Sequence, residues 1–158
     1  MIAPVPEKRE RVTQMLISDV LHHKGHEVVT VRTTDSLSLA VSRLAERRIG
    51  AVLVQDQWMK SVGIFSERDF INQVARHGAE VLAYEVQQVM SAPVISCRSS
   101  DRVDAVLGAM TLARIRHMPV IDSGILRGIV SIGDLVKYRL DEKELEANVL
   151  LDLSRMHA

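Results

Sequence analysis

The sequence predicts an α/β (α+β) fold built from two copies of one strand-helix-strand-strand-helix unit. Residues 28 to 48 align with residues 94 to 114 at a constant offset of 66 (94 − 28). The segment GIFSERD at 63 to 69 matches GIVSIGD at 128 to 134 at an offset of 65 (128 − 63). Self-similarity at a fixed spacing is the usual mark of a repeated structural unit. Short β-branched runs and helix-spaced apolar residues give the order of elements within each copy.

The first copy can be followed element by element. Residues 7 to 21 are expected to be helical, residues 22 to 27 form a loop-like insertion, and residues 28 to 31 form a strand. Apolar residues spaced 3, 4, 7 and 8 apart from Leu37 predict a helix capped by Asp35 or Ser36. Two strands, 52 to 54 and 62 to 65, should flank a polar turn at 56 to 57. A helix then follows Ser66 and stops at Gly78.

The second copy repeats this order from residue 94. Residues 94 to 97 form the first predicted strand, and Cys97 is expected to be a small buried residue in it. An amphipathic helix starts near Val103, Gly124 lies in the turn between the last strands, and a long charged helix from Asp134 outgrows the domain. The expected boundaries are an extension over 1–14, repeats over 15–80 and 84–140, and a helical tail over 141–158. Halves of this size bury too little surface alone, so one shared core is expected.

Composition excludes several classes of protein. Twenty basic and twenty acidic residues cancel, so no global field attracts nucleic acid or an anionic membrane. No apolar run reaches the roughly 20 residues that a spanning helix needs, and residues 1 to 10 lack the apolar centre of a signal peptide. The single cysteine fits a reducing compartment. A cytoplasmic protein is expected.

The two junctions between strand and helix carry the clearest functional pattern. Ser66 and Asp69 stand three apart in one junction, and Ser131 and Asp134 in the other. The preceding glycine would let a ligand or a second backbone approach closely. A carboxylate there can accept hydrogen bonds from a ribose. The same spacing is close to a capping box, in which the serine and the acid satisfy donors at the helix end. Both functions stay open.

Several cations could hold a phosphate near these junctions. Arg68 precedes Asp69, whereas Gly133 stands at the matching place in the second copy. Arg114 and Arg116 could contact an anion or simply decorate a helix end. Lys24 and Gly25, in the insertion, form a further candidate phosphate contact.

Metal binding and catalysis find little support in the sequence. His22, His23 and His26 have metal-like spacing but lack the fuller ligand set that zinc sites use, so no metal is expected. No phosphate-binding P-loop, nucleophile elbow or zinc-protease motif occurs. The chain is therefore expected not to be an enzyme.

The doubled unit, the segments GIFSERD and GIVSIGD, and RIRHMPV at 114 to 120 together resemble the cystathionine-β-synthase (CBS) repeat family, over about residues 15 to 140. The resemblance implies a stand-alone CBS pair, or Bateman module, with pseudo-twofold symmetry, two clefts and a homodimer. It also implies adenosine ligands, with AMP most expected and ATP, NAD(H) or S-adenosylmethionine as alternatives.

Site residues also follow from the resemblance. Asp69 and Asp134 would hold ribose, with Ser66 and Ser131 beside them, and Arg68 would meet phosphate. Main chain at Gly50-Ala51 and His117-Met118 would bind the adenine edge, and Thr30 and Pro119 complete the expected set. The clefts should be unequal: one would hold phosphate with Arg68 and Lys24, and the other with Arg114 or Arg116.

Three functions follow as hypotheses. The leading one is a nucleotide sensor whose ligand changes its contact with an unknown regulated protein. The second is a nucleotide-processing enzyme that uses Asp69, Asp134 or His117 as acid or base. The third is an assembly module in which the C-terminal helix binds a partner and the clefts are vestigial.

Overall fold

The computed structural model describes residues 14–156, and in that range it contains five α-helices and two small sheets. The first part comprises α1 (Ile17–Lys24), β1 (Thr30–Arg32), α2 (Leu37–Arg47), β2 (Ala51–Gln55), β3 (Ser61–Ser66) and α3 (Glu67–His77). Two 3₁₀ helices, Gly78–Ala83 and Val86–Gln88, lead to α4 (Val103–Ala113), β4 (His117–Asp122), β5 (Ile125–Ser131) and α5 (Ile132–Met156). The mixed fold class is confirmed. Most of the predicted extension over 1–14, and residues 7 to 13 of the predicted first helix, lie outside the described residues.

Local sequence explains where the helices begin and end. The Ser36 hydroxyl caps α2 by accepting a hydrogen bond from the Leu39 N–H at 3.2 Å, while Asp35 instead closes the preceding turn by accepting from the Arg32 N–H. Helix α3 ends at Gly78, as predicted. Helix α1 runs to Lys24, so the loop predicted from residue 22 is wrong for residues 22 to 24. Those three residues form the last, basic turn of the helix, where positive side chains are favoured by the helix dipole.

The two sheets differ by one strand. In the first, β1 pairs parallel with β2, and β2 pairs antiparallel with β3. In the second, β4 pairs antiparallel with β5, but residues 94 to 97 do not form the predicted strand, and only Cys97 bridges Val120. The reason is Pro119. Its counterpart Leu53 donates its N–H to the Val29 carbonyl, whereas proline has no N–H to offer the chain upstream of Cys97.

Each sheet is covered by a helical segment from or just before the start of the other repeat. Helix α1 covers the second sheet, and residues 81 to 90 cover the first. Buried Ile17, Val20 and Leu21 of α1 pack with the side chains of α4, β4, β5 and α5. Residues 81 to 90 pack with those of α2, β2 and β3. Matching main-chain hydrogen bonds hold the two segments, from Ile17 to Asp101 at 2.9 Å and from Val86 to Asp35 at 2.8 Å. Two core clusters result in place of the single shared core expected, and each depends on both halves of the chain.

The glycine of each junction makes this packing possible. A Cβ atom on Gly63 would lie 2.4 Å from the Met90 sulfur, and one on Gly128 would lie 2.7 Å from a Leu21 methyl group. Real Cβ atoms do not approach so closely, so only glycine leaves room for these side chains. Of the two possibilities that the sequence left open, a ligand or a second stretch of chain, the structure shows the second, because the exchanged segments fill this space.

Helix α5 leaves the domain as an unbroken helix of 25 residues. Leu135 is buried in its first turns, whereas Leu145, Val149, Leu150 and Leu153 are all exposed further along. The long terminal helix is as predicted. Among the described residues, no helix is both long and apolar enough to cross a membrane.

We expect Gly63→Ala to destabilise the protein by about 1–3 kcal/mol, the usual range for overpacking a core. The new methyl group would press on Met90 and on the Ser91 carbonyl oxygen, 3.1 Å away. Gly108→Ala in α4 is the matched control, because no heavy atom outside the local helix backbone lies within 4 Å of that Cβ position. It should stabilise by about 0.5–1 kcal/mol through helix propensity. Urea unfolding measures both, and equal effects of the two substitutions would contradict this account.

Candidate functional site

The junction between β3 and α3 is a complete capping box. Asp69 Oδ2 accepts hydrogen bonds from the Ser66 N–H and the Ser66 hydroxyl, both at 2.8 Å, and the Asp69 N–H donates to Ser66 Oγ at 3.3 Å. Among the described residues, the second oxygen, Oδ1, accepts one hydrogen bond, a long one of 3.3 Å from the Ser91 hydroxyl. One carboxylate oxygen therefore serves the helix start, and the other is nearly unused.

The junction between β5 and α5 has the same backbone arrangement and a different partner. Asp134 Oδ2 accepts from the Ser131 N–H at 2.8 Å and from the Lys24 ammonium at 2.5 Å. Burial favours a raised Asp134 pKa, but the hydrogen bonds from Lys24 and Ser131 outweigh it, so this pKa lies below its ordinary value. Asp134 is thus held as a carboxylate by a cation that the chain itself supplies.

Each junction faces a cleft that the other repeat completes. The Asp69 cleft, about 130 Å³ in volume, is lined by Gly50, Ile64, Ser66, Glu67, Arg68, Asp69, Ser91, Arg114, Ile115, Arg116 and His117. The Asp134 cleft, about 390 Å³, is lined by Lys24, Gly25, Glu27, Val29, Arg47, Arg48, Ile49, Gly50, Ala51, His117, Ile129, Ser131 and Asp134. Asp69 and Asp134, Ile64 and Ile129, and Arg48 and Arg114 occupy equivalent places. The clefts are related by the internal repeat.

The cations are distributed differently from the sequence-based expectation. Lys24 lies in the Asp134 cleft and not beside Arg68, whereas Arg114 and Arg116 share the Asp69 cleft with Arg68. The predicted pairing of Lys24 with Arg68 is therefore wrong. Its cause is the exchange of segments, since α1 packs on the second sheet and carries Lys24 at its end to that side.

The Asp69 cleft holds the uncommitted positive charge. Among the described residues, Arg68, Arg114 and Arg116 make no ion pair, and all three are exposed. Arg114 is also the left-handed C-cap residue of α4, with φ of 55°, so it both ends a helix and lines the cleft. The sequence left these two possibilities open, and the geometry is compatible with both.

At the beginnings of β2 and β4, the main-chain N–H and C=O groups of Ala51 and His117 have no hydrogen-bond partner among the described residues. Ala51 lies opposite Ser66, and the flanking Glu67 N–H donates to the Gly50 carbonyl. His117 lies opposite Ser131, and the flanking Ile132 N–H donates to the Arg116 carbonyl. In an antiparallel ladder these flanking bonds make both pairs non-hydrogen-bonded pairs. The N–H and C=O of Ala51 and His117 therefore point away from the partner strand. At those points each strand can offer one donor and one acceptor to a ligand.

His117 separates the two clefts and lines both. Its imidazole fits against Gly50, where a Cβ atom would lie 2.9 Å from the ring. Burial lowers the His117 pKa, and Lys24 and Arg116 lower it further, while Asp134 and Glu67 oppose them. The net effect is a lowered pKa, which favours the neutral ring at neutral pH.

Some expected residues do not line either cleft, and others were missed. Thr30 lies in β1, while Met118 and Pro119 are buried in β4, where the Met118 side chain belongs to the core. Ser91 and Arg48 were not predicted. The alignment of Arg48 with Arg114 at an offset of 66 could have indicated Arg48, but no local signal marks Ser91.

The histidines near α1 are engaged separately. The His23 ring lies 5.2 Å from the Tyr138 ring, and His26 Nδ1 is 2.8 Å from the Arg127 carbonyl oxygen. Within residues 14–156 no group of three His, Cys, Asp or Glu side chains could hold a metal ion. Burial raises the pKa of the Cys97 thiol to about 12, so this thiol stays protonated.

Comparison with known proteins assigns both repeats. The model of the CBS domain family matches residues 17–76 and 86–141. The crystal structure of a CBS-domain containing protein from Agrobacterium tumefaciens is 40% identical, with a TM-score of 0.77, over 80% of this chain and 94% of that one. A mitochondrial CBS domain-containing protein of Arabidopsis thaliana is 30% identical over 82% of this chain and 67% of its own length.

Other similar proteins include relatives that are longer than the matched region and a structure with bound ligands. The matched region spans only 35% of a 33.4 kDa protein from Thermofilum pendens and 57% of a Methanopyrus kandleri protein. The CBS domain pair of protein MJ0100, solved in complex with 5′-methylthioadenosine and S-adenosyl-L-methionine, is 23% identical and shares the fold with a TM-score of 0.72, over 82% of this chain and 98% of that one.

The lowered pKa of His117 predicts that acid destabilises the protein through this residue. The native state binds the proton less tightly than the unfolded chain, whose histidine titrates near pH 6.5. This contribution is therefore complete above about pH 6.5 and is lost as the pH falls below it, with a slope of at most about 1.4 kcal/mol per pH unit for one proton.

Urea unfolding between pH 7.5 and 5 tests this for the wild type and His117→Gln. The variant should lose less stability on acidification. His22→Gln, at an exposed position of α1, is the control and should behave like the wild type. Parallel pH profiles for wild type and His117→Gln would refute the prediction.

Proposed function

The chain belongs to the CBS domain family, and we propose that it is a non-catalytic regulatory module that binds adenine nucleotides in the two clefts. One observation carries the proposal. In each cleft a helix-start carboxylate of one repeat faces the first strand residues of the other, whose main-chain donor and acceptor are unpaired. A ribose needs the first group and an adenine edge needs the second.

The Asp69 cleft has the best set of groups for a nucleotide. Asp69 would accept the ribose hydroxyls, with Ser66 beside it, and the main chain of His117 would bind the adenine edge. Arg68, Arg114 and Arg116 would hold phosphate oxygens, and none of the three is in an ion pair within the part of the chain that the structure describes. Guanidinium groups bind phosphate bidentately, which fixes its orientation as well as its charge.

The Asp134 cleft would bind a second adenosine ligand with Asp134 and Ser131 at the ribose and Gly50-Ala51 at the adenine. Its cations are mostly committed, since Arg47 pairs with Glu27 at 2.9 Å and Lys24 with Asp134. Arg48, with φ of 53°, occupies the place that Arg114 has in the other cleft. The two clefts therefore differ in charge, although their frame is shared.

AMP is the ligand we expect first, with ATP and NAD(H) as alternatives. Adenosine ligands in the related MJ0100 domain pair support the adenosine class. Binding would favour one arrangement of the two repeats and so change contact with a regulated protein. The homodimer, the cytoplasmic location and the existence of a regulated protein stay predictions.

Asp69→Asn should weaken AMP binding about tenfold or more, because a charged acceptor contributes about 1.5–3 kcal/mol to a hydrogen bond. The amide keeps the size of the side chain and can still accept from the Ser66 N–H, so the helix start should survive. Asp35→Asn is the matched control, since Asp35 closes a similar turn outside both clefts.

Isothermal titration with AMP, ATP and NADH measures these affinities. No heat with any of the three at millimolar concentration would refute nucleotide binding. Undiminished affinity in Asp69→Asn would refute the ribose role of Asp69. Chemical conversion of the bound nucleotide, checked by chromatography after the titration, would favour the enzyme hypothesis.

Arg68→Gln should weaken AMP binding about tenfold and leave adenosine binding unchanged, because the lost contact is to phosphate. The measurement is made in an Asp134→Asn background, so that the Asp69 cleft dominates the titration. Arg139→Gln is the control, because Arg139 pairs with Asp104 at 2.8 Å outside the clefts. An equal loss for adenosine and AMP would show that Arg68 acts on the fold and not on phosphate.

A further inference from the structure

Asp134, the carboxylate proposed to bind ribose in its cleft, is already paired with a cation. Lys24 Nζ lies 2.5 Å from Asp134 Oδ2 and 2.7 Å from the Ile129 carbonyl oxygen. The side chains are 33% and 27% exposed, so the pair is partly shielded from water. With the Ser131 N–H at 2.8 Å, Oδ2 accepts two hydrogen bonds and has no lone pair left.

The equivalent oxygen in the Asp69 cleft is saturated by a neutral group. Asp69 Oδ2 accepts from the Ser66 N–H and from the Ser66 hydroxyl. A hydroxyl can rotate away and donate to another acceptor with little loss of free energy. In the described part of the chain no cation pairs with Asp69.

Displacing the Lys24 ammonium from Asp134 is less favourable than rotating the Ser66 hydroxyl away from Asp69. A ribose offers two adjacent hydroxyls, which bind best with one on each carboxylate oxygen, so it competes with Lys24 for Oδ2. Moving Lys24 off Asp134 leaves a cation without its partner in a partly shielded site, which is unfavourable. A ligand phosphate beside Lys24 removes that penalty by supplying a new anion. Gly25, next in the chain, also lines this cleft, and no heavy atom lies within 4 Å of the position that a Cβ atom would take there.

On the premise that the clefts bind adenosine ligands, we propose that Lys24 makes the Asp134 cleft selective for phosphorylated ligands. The ammonium is the cleft's own counter-ion when no ligand is present, and it transfers from Asp134 to phosphate when a nucleotide binds. Unphosphorylated adenosine cannot make this exchange. The Asp69 cleft has no such requirement and accepts adenosine with or without phosphate.

The test compares adenosine with AMP by isothermal titration in an Asp69→Asn background, where the Asp134 cleft dominates. There AMP should bind at least about tenfold more tightly than adenosine, the size of one charge-assisted contact. Adding Lys24→Met should weaken AMP about tenfold and strengthen adenosine, so that the ratio of the two affinities falls by more than about tenfold.

Three further variants sharpen the test. Lys24→Gln is neutral and polar, and it should give the same collapsed ratio if Lys24→Met folds poorly. Lys24→Arg keeps the charge and should keep the preference for AMP. Lys60→Met, at an exposed lysine in the turn between β2 and β3, should leave both affinities as they are in the background protein.

The outcomes separate this proposal from the general function. If the wild type binds neither AMP nor adenosine, nucleotide binding itself is refuted. If AMP binds and the affinity ratio is the same with and without Lys24, only the role of Lys24 is overturned. AMP binding to the wild type that disappears completely in Asp69→Asn would also overturn it, since the Asp134 cleft would then be no nucleotide site.

Discussion

The exchange of helical segments between the two repeats is the constraint on which the rest of this structure depends. Besides the helices of its own repeat, each sheet packs against a helical segment from or just before the start of the other repeat. Leu21 fills the space above Gly128, and Met90 fills the space above Gly63. Separating the repeats would strip the cover from both sheets at once, so the two core clusters must form together although few buried side chains link them directly.

The same exchange builds the clefts. The exchanged segments end beside the two junction carboxylates. Lys24, the last residue of α1, contacts Asp134, and Ser91, which follows residues 81 to 90, contacts Asp69. The frame is symmetric because equivalent main-chain bonds and glycine contacts occur in both repeats. The chemistry is not symmetric, because one passing residue is a lysine and the other a serine. A duplicated fold can thus acquire two different sites by changes in the connecting segments alone.

Much of the fold could be predicted from sequence, because its signals are local. The helix from Leu37, the junction serines and aspartates, the stop at Gly78 and the long final helix each follow from a few neighbouring residues. The prediction of a strand at 94 to 97 was wrong because Pro119 stands in the neighbouring strand β4, where an N–H donor would be needed. This could be seen only once the pairing was known. The prediction of which cleft contains Lys24 was wrong for a related reason. An amphipathic helix has the same sequence pattern whichever sheet it covers.

The junction aspartates show why a cap and a ribose site need not exclude each other. At each junction Oδ2 holds the serine N–H at 2.8 Å, and this bond fixes the start of the helix. The other donor on Oδ2 is a side chain, the Ser66 hydroxyl at one junction and the Lys24 ammonium at the other, and Oδ1 of Asp69 accepts a long bond from Ser91. A ligand can therefore take the remaining positions while the helix start stays intact. The fold supplies a carboxylate held at the start of a helix, and in the proposed function the group that must leave it determines which ligand can enter.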